Sequence, residues 1–104
     1  MVISNEHVIY DQVYGPVRVV AGGRLTVRGQ VVGDAVTVQS GGHAAIQGMV
    51  QQVVVEQGGS VELHGTCSGD VHNLGGDLVI SGTVGGTLIG RSYTRILQGA
   101  QIDH

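Results

Sequence analysis

Phenylalanine, tryptophan and lysine are absent from this chain of 104 residues, which has one cysteine and one proline. Each absence excludes something. Without large rings, aliphatic side chains must fill the interior, so the core has to be thin. A single cysteine, Cys67, excludes an intrachain disulfide and fits a reducing compartment. With no lysine, five basic residues face eight acids for a net charge of −3. That balance argues against nucleic acid, whose binding is dominated by cationic contacts to phosphate. No stretch approaches the roughly 18 apolar residues of a spanning helix. The opening "MVISNEHVIYDQ" lacks the basic start and apolar run of a signal peptide. A soluble, cytoplasmic protein of one domain, residues 1–104, is the expectation.

What is present is valine and glycine. Valine is β-branched and suits a pleated, half-buried strand. The 19 glycines follow no strict every-third-residue rule and mark frequent turns. They recur in order: Gly-Gly stands at 22–23, 41–42, 58–59 and 75–76, spacings of 19, 17 and 17. Seven residues after the start of each pair comes another glycine, at 29, 48, 65 and 82. The segments are "GGRLTVRG", "GGHAAIQG", "GGSVELHG" and "GGDLVISG", each apolar at its fourth and sixth positions. A fifth copy, "SYTRILQG" at 92–99, replaces Gly-Gly with Ser-Tyr and puts Arg95 where an aliphatic is expected.

A repeat of this length means a solenoid. Each coil of about 17 to 19 residues holds three short strands separated by tight corners. Period-2 alternation buries one face of each strand. Strands so short pair with the same strand one coil later, at roughly 4.8 Å per coil. The predicted fold is all-β, a right-handed parallel β-helix of triangular section with about five coils. A left-handed hexapeptide helix needs a strict six-residue spacing that the paired V-x-V and L-x-V positions do not keep. Residues 1–16 form an N-terminal cap or first coil, 17–90 the regular coils, and 91–104 a C-terminal coil or cap. About four inward aliphatics per coil, each worth roughly 1.5–3 kcal/mol, offset the ordering cost of so much glycine.

The regularity fails in "CSGDVHNLGG", residues 67–76. Either Asp70 and His72 face inward, or the strand slips by one and Val71 points in, with Asn73 outside or capped. A slip of one residue exchanges the two faces, and burying an unpaired aspartate is costly, so the slip is expected. "TLIG" at 87–90 carries the same ambiguity. Cys67, Asp70 and His72 match a nucleophile, acid and base in composition only. Strand alternation separates an inward Cys67 from an outward His72, and a core cysteine with a corner aspartate is the plainer expectation. The five histidines show no metal-ligand spacing, so no metal or other cofactor is expected. The outward column Arg18, Thr37, Val54, then His72 or its neighbour, excludes a flat threonine array of the ice-binding kind.

Charge is segregated. Arginines lie only at 18, 24, 28, 91 and 95, and the middle carries Asp34, Glu56, Glu62, Asp70 and Asp77. Glu56, Glu62, Asp70 and Asp77 are therefore candidate contacts for a basic protein partner. Beside them, Thr26, Ala45, Glu62 and Val79 with Arg28, Gln47, His64 and Ser81 make one smooth outward face, better suited to protein contact than to a small substrate.

The pattern G-x-V-x-G-D-V-x-V-x-x-G-G-x-L-x-V, carried by "GGRLTVRGQVVGDAVTVQSGG" and its three successors over residues 13–102, resembles the bactofilins, bacterial cytoskeletal proteins that polymerise without nucleotide. The resemblance implies a right-handed triangular β-helix, end-to-end assembly and no catalytic residue. Exposed solenoid ends are strand edges open to pairing. Terminal aliphatics and tyrosines (Ile9, Tyr10, Tyr14, Tyr93 and Leu97) are the candidate self-association residues. A non-enzymatic scaffold binding itself is the first functional expectation. The alternative is a small acidic inhibitor or immunity-type protein that masks a basic partner such as a toxin domain.

Overall fold

The structure, a computed structural model, describes residues 2–14, 16–90 and 94–102. These form sixteen β-strands and no helix. Every strand pairing is parallel, and the chain winds as a β-solenoid of about six turns with three strand segments per turn. The first face stacks β1 (Val2–Ile3), β4 (Val17–Val19), the end of β6 (Gln30–Val38), the end of β8 (Met49–Val55), β11 (Val71–Asn73) and β14 (Leu88–Ile89). The second stacks β2 (Glu6–Ile9), β5 (Arg24–Val27), β7 (His43–Ile46), β9 (Ser60–Leu63), β12 (Asp77–Ile80) and β15 (Thr94–Ile96). The third stacks β3 (Gln12–Tyr14), the starts of β6 and β8, β10 (Thr66–Cys67), β13 (Thr83–Val84) and β16 (Gln101–Ile102). About five coils were expected from the glycine repeat. Residues 2–14 add one, because their strands pair in full register with the second coil although they lack its glycines.

Alternation fills the core. Val17, Val36, Val53, Val71 and Leu88 make one inward column, and Val13, Val31, Val50, Cys67, Val84 and Ile102 another. On the second face Leu25, Ala44, Val61 and Leu78 alternate with Val27, Ile46, Leu63 and Ile80, all sealed from solvent. A regular coil therefore buries five aliphatic side chains, each worth roughly 1.5–3 kcal/mol. The column spacing leaves no room for rings, which accounts for the missing phenylalanine and tryptophan.

Two corners need glycine for different reasons. Between the first and second faces, Gly22, Gly41 and Gly58 have φ of 83–87°, a region side chains with Cβ rarely enter. The next N–H then closes the turn: Gly23 donates to the Val20 carbonyl, Gly42 to Gln39 and Gly59 to Glu56, at 2.8–2.9 Å. Between the second and third faces, a Cβ on Gly48, Gly65 or Gly82 would run into the carbonyl oxygen of Gly29, Gly48 or Gly65 one coil back.

The irregular fifth coil takes the slipped register. Val71 pairs with Val53 and is buried, while His72 pairs with Val54 and faces out, half-exposed. Asn73, however, is not outside. It pairs with Val55 and is 2% exposed. The reason lies in the corner that follows, where only residues 74–76 separate the strands and four residues (56–59) do so one coil earlier. The shortened turn lacks its backbone acceptor, and the side chain supplies one. Asn73 Oδ1 accepts from the Gly76 and Gly75 N–H groups at 2.8 and 3.1 Å. Its Nδ2 donates to Thr94 Oγ1 at 3.1 Å, and that hydroxyl donates to the Gly90 carbonyl at 3.0 Å. A buried amide with partners on both ends costs little. The ambiguity at 87–90 resolves as Leu88 inward and Ile89 outward.

The last coil corrects the expected alignment by one residue. Leu78 pairs with Thr94, Val79 with Arg95 and Ile80 with Ile96. Arg95 thus stands on the exposed outer side instead of in an aliphatic position, and Thr94 and Ile96 turn inward. An inward guanidinium would have to be desolvated without a partner, and slipping by one avoids that cost. The chain then spends four residues, 97–100, on a corner that takes two in the coil before, so Gln101 and Ile102 rejoin Thr83 and Val84 in register.

Candidate functional site

The two ends of the stack expose strand edges without a neighbouring coil, and side chains gather there. At the N-terminal end Tyr10 and Tyr14 are well exposed, as is Val2. Ile9 belongs to the core instead: it pairs with Val27 and is 2% exposed. His7 pairs with Leu25 and so begins an inward column among the described residues, yet it is exposed. A depression of about 230 Å³ runs beside Ser4, Asn5 and His7.

At the C-terminal end Leu97 is 45% exposed, standing just past β15. Its N–H donates to the Ile80 carbonyl, as that of Ser81 does to Leu63 and that of Arg28 to Ile9, so Leu97 and Tyr10 close the two ends of one corner column. Tyr93 lies outside the described residues. Ile96 (40% exposed) on the second face and Ile89 on the first are also exposed in the last coil, and neither was singled out from sequence. Ile96 was hidden by the one-residue slip; Ile89 could have been found by letting the Val71 register run on one coil.

The acidic candidates divide. Glu62 and Asp77 stand on the second face in neighbouring strands, and Glu56 lies at the Gly-Gly corner beside it. Asp70 sits at a different corner, between the third and first faces, where its Oδ1 accepts from the Thr87 N–H at 2.9 Å. That aspartate closes a turn and is set apart from the other three. The smooth outward column is as expected, with Thr26, Ala45, Glu62 and Val79 in register.

On this face three side chains meet. His64 Nδ1 lies 2.6 Å from Ser81 Oγ, and His64 Nε2 lies 3.4 Å from Glu62 Oε2. With the proton on Nε2 directed at Glu62, Nδ1 accepts from the serine hydroxyl, the connectivity of a serine nucleophile with its base. The surroundings do not complete such a site. The backbone N–H groups of Ser81 and Gly82 both donate to the Leu63 carbonyl, at 2.9 and 3.1 Å, so neither is free to receive an oxyanion. His64 and Glu62 are each more than two-fifths exposed, and water screens their pairing.

Cys67 faces the interior on the third face, and His72 faces outward on the first, so the two do not meet. Burial pushes the thiol above its ordinary value of 9.0, opposed by a hydrogen bond to Gly69 and aided by the Asp70 charge. A thiol held protonated is no nucleophile. The corner above it carries a cleft of about 300 Å³ lined by Gly33, Gln51, Gln52, Ser68 and Gly69, with the Gly33 N–H donating to Gln51 Oε1 at 2.9 Å. Among the described residues no group of three or more His, Cys, Asp or Glu side chains could hold a metal ion, and no helix is long and apolar enough to cross a membrane. Comparison of the chain with protein-family models, with curated proteins and with solved structures finds no match.

Proposed function

We propose that the protein is a non-enzymatic cytoplasmic scaffold that associates with itself through the ends of its solenoid, in the manner of the bactofilins its repeat resembles. One observation carries the reading: among the described residues every exposed large apolar side chain except Met49 and Leu74 lies in the first or the last coil. Ile89, Ile96 and Leu97 are exposed on the last coil, and Val2, Tyr10 and Tyr14 on the first. An end coil also offers unpaired N–H and C=O groups to a further strand. Gel filtration with light scattering, followed by negative-stain microscopy of the same fractions, tests the reading. Filaments or large open assemblies support it, and a monomer at every concentration overturns it.

A second reading is favoured by Glu62 and Asp77 standing together on the second face, with Glu56 beside it. On that reading the protein is a small acidic inhibitor that masks a basic partner. Its association rate with a cationic protein would fall steeply with salt, and Glu62→Lys with Asp77→Lys would abolish the complex. A rate indifferent to salt would count against it.

A further inference from the structure

Among the described residues Ser81 is the one serine whose hydroxyl meets a histidine. Winding makes the contact. The His64 N–H donates to the Ile46 carbonyl and the Ser81 N–H to that of Leu63, so both stand at the same corner position one coil apart. Their side chains leave the second face side by side, and Nδ1 comes within 2.6 Å of Oγ. Glu62 decides which group donates. A carboxylate only accepts, so Nε2, 3.4 Å from Glu62 Oε2, carries the imidazole proton. Nδ1 then has a bare lone pair, and the serine proton points at it.

Ser60 shows that proximity alone does not produce this. It lies on the same face, with His43 and Asp77 as its partners in register on the coils before and after. The same residue types are at hand, yet no hydrogen bond joins its hydroxyl to either. Ser60 opens a strand, whereas Ser81 follows β12 at the corner, where the chain turns toward His64.

What the site lacks sets its chemistry. The outward columns form a smooth face, and the Ser81 and Gly82 N–H groups are engaged with the Leu63 carbonyl. Such a face cannot cleave an ordinary ester or amide, whose poor leaving group needs its oxyanion stabilised. A donor with a good leaving group asks less. Water on the open face hydrates the oxyanion, and a base at the hydroxyl is the remaining requirement.

We propose that Ser81 is an acyl acceptor, a site of covalent modification by activated acyl esters and thioesters. Ser81 Oγ attacks the acyl carbon while its proton passes to His64 Nδ1. The bond from that carbon to the aryl oxygen or thiol sulfur breaks, and the leaving group takes the proton from the imidazolium. The products are a serine ester and a phenol or thiol. The ester persists, because a serine alkoxide leaves far less readily than a phenolate or thiolate and the N–H groups at 81 and 82 give its hydrolysis no help. One hydroxyl is used once, so the step is a modification without turnover, and it does not depend on self-association.

The test incubates the full chain with p-nitrophenyl acetate, follows nitrophenol release and maps the acetyl group by peptide mass spectrometry. The chain has no lysine to compete for the reagent. A lasting acetyl ester on Ser81 is expected. Ser81→Ala should abolish it, and His64→Gln, which keeps a polar side chain without a base, should slow it about a hundredfold. Ser60→Ala should leave it unchanged. All three positions face outward, and unchanged circular dichroism and thermal unfolding verify each fold. Equal acetylation of Ser60 and Ser81, or an unchanged rate in His64→Gln, would overturn the proposal. Nitrophenol release that continues without a lasting ester on Ser81 would overturn it as well.

Discussion

One core column begins at Ile9 and ends at Ile96, and its two ends differ. Ile9 is 2% exposed, whereas Ile96 is 40% exposed. The difference is confined to this inward column: in the outward ones Val2 and Tyr10 of the first coil are at least as open as Ile89 and Leu97, which end the same columns in the last. In a stack each coil has two neighbours except at the ends, so position alone leaves terminal side chains half covered. The first coil nevertheless seals its isoleucines, and the last does not. Its inward positions include Thr94 and its corner at 97–100 is longer, and the apolar surface that results is what a second copy would cover. Residue type is shared by the two ends, so it is the local path of the chain that separates them.

The largest break would remove the frame both ends share. Gly65→Val should cost about 3–5 kcal/mol or prevent folding, because the side chain must displace the Gly48 carbonyl in the middle of the stack. An unchanged urea midpoint would mean the glycine corners are not stacked in this way. The comparison is sharpest within one column. Ile9→Ala should lose about 2–5 kcal/mol, and Ile96→Ala less than about 1 kcal/mol in the dilute monomer. Equal losses by urea denaturation would erase the difference between the ends.

Asn73→Ala should cost about 1–3 kcal/mol by leaving the Gly75 and Gly76 N–H groups without an acceptor. Its effect should be one-sided. Hydrogen exchange would quicken in Leu88–Ile89 and Thr94–Ile96, which follow Asn73, and hold steady in Glu6–Ile9. Uniform quickening would show that Asn73 supports the whole stack and not its C-terminal end.

The smallest effect concerns Cys67. Its folded-state thiol is held protonated by burial while the unfolded thiol titrates near 9.0. Stability is therefore fully present below pH 9 and declines above it, until the folded thiol ionises as well. Cys67→Val, which continues a column of valines, should remove this part of the alkaline decline. A Cys67 thiol that reacts readily with a disulfide reagent in the native state would contradict its burial.

The regular coils were legible because two signals agree there. Gly-Gly and single glycine mark corners whose geometry excludes Cβ, and V-x-V or L-x-V between them marks the inward positions. Legibility ended where one signal was replaced by chemistry at a distance. Asn73 reads as either outside or capped until the corner after it is seen to be one residue short, which makes its side chain the acceptor that closes the turn. Thr94 and Ile96 take the inward positions because Arg95 would otherwise be buried, and the two added corner residues that permit this carry no mark before Gly99. The end patch suffered most. Tyr10, Tyr14 and Leu97 stand exposed near the ends, whereas Ile9 faces the core and the exposed Ile89 and Ile96 needed the register to be found. Glu56, Glu62, Asp70 and Asp77 were read as one acidic region in the chain, and winding sends Asp70 to a separate corner.

The most direct measurement is amide hydrogen exchange on concentrated, assembled protein against the dilute monomer, read strand by strand. Association through the solenoid ends predicts added protection in both Glu6–Ile9 and Thr94–Ile96, with none added in Ser60–Leu63 at the centre. Protection gained at one end alone, or along the whole second face, would contradict it.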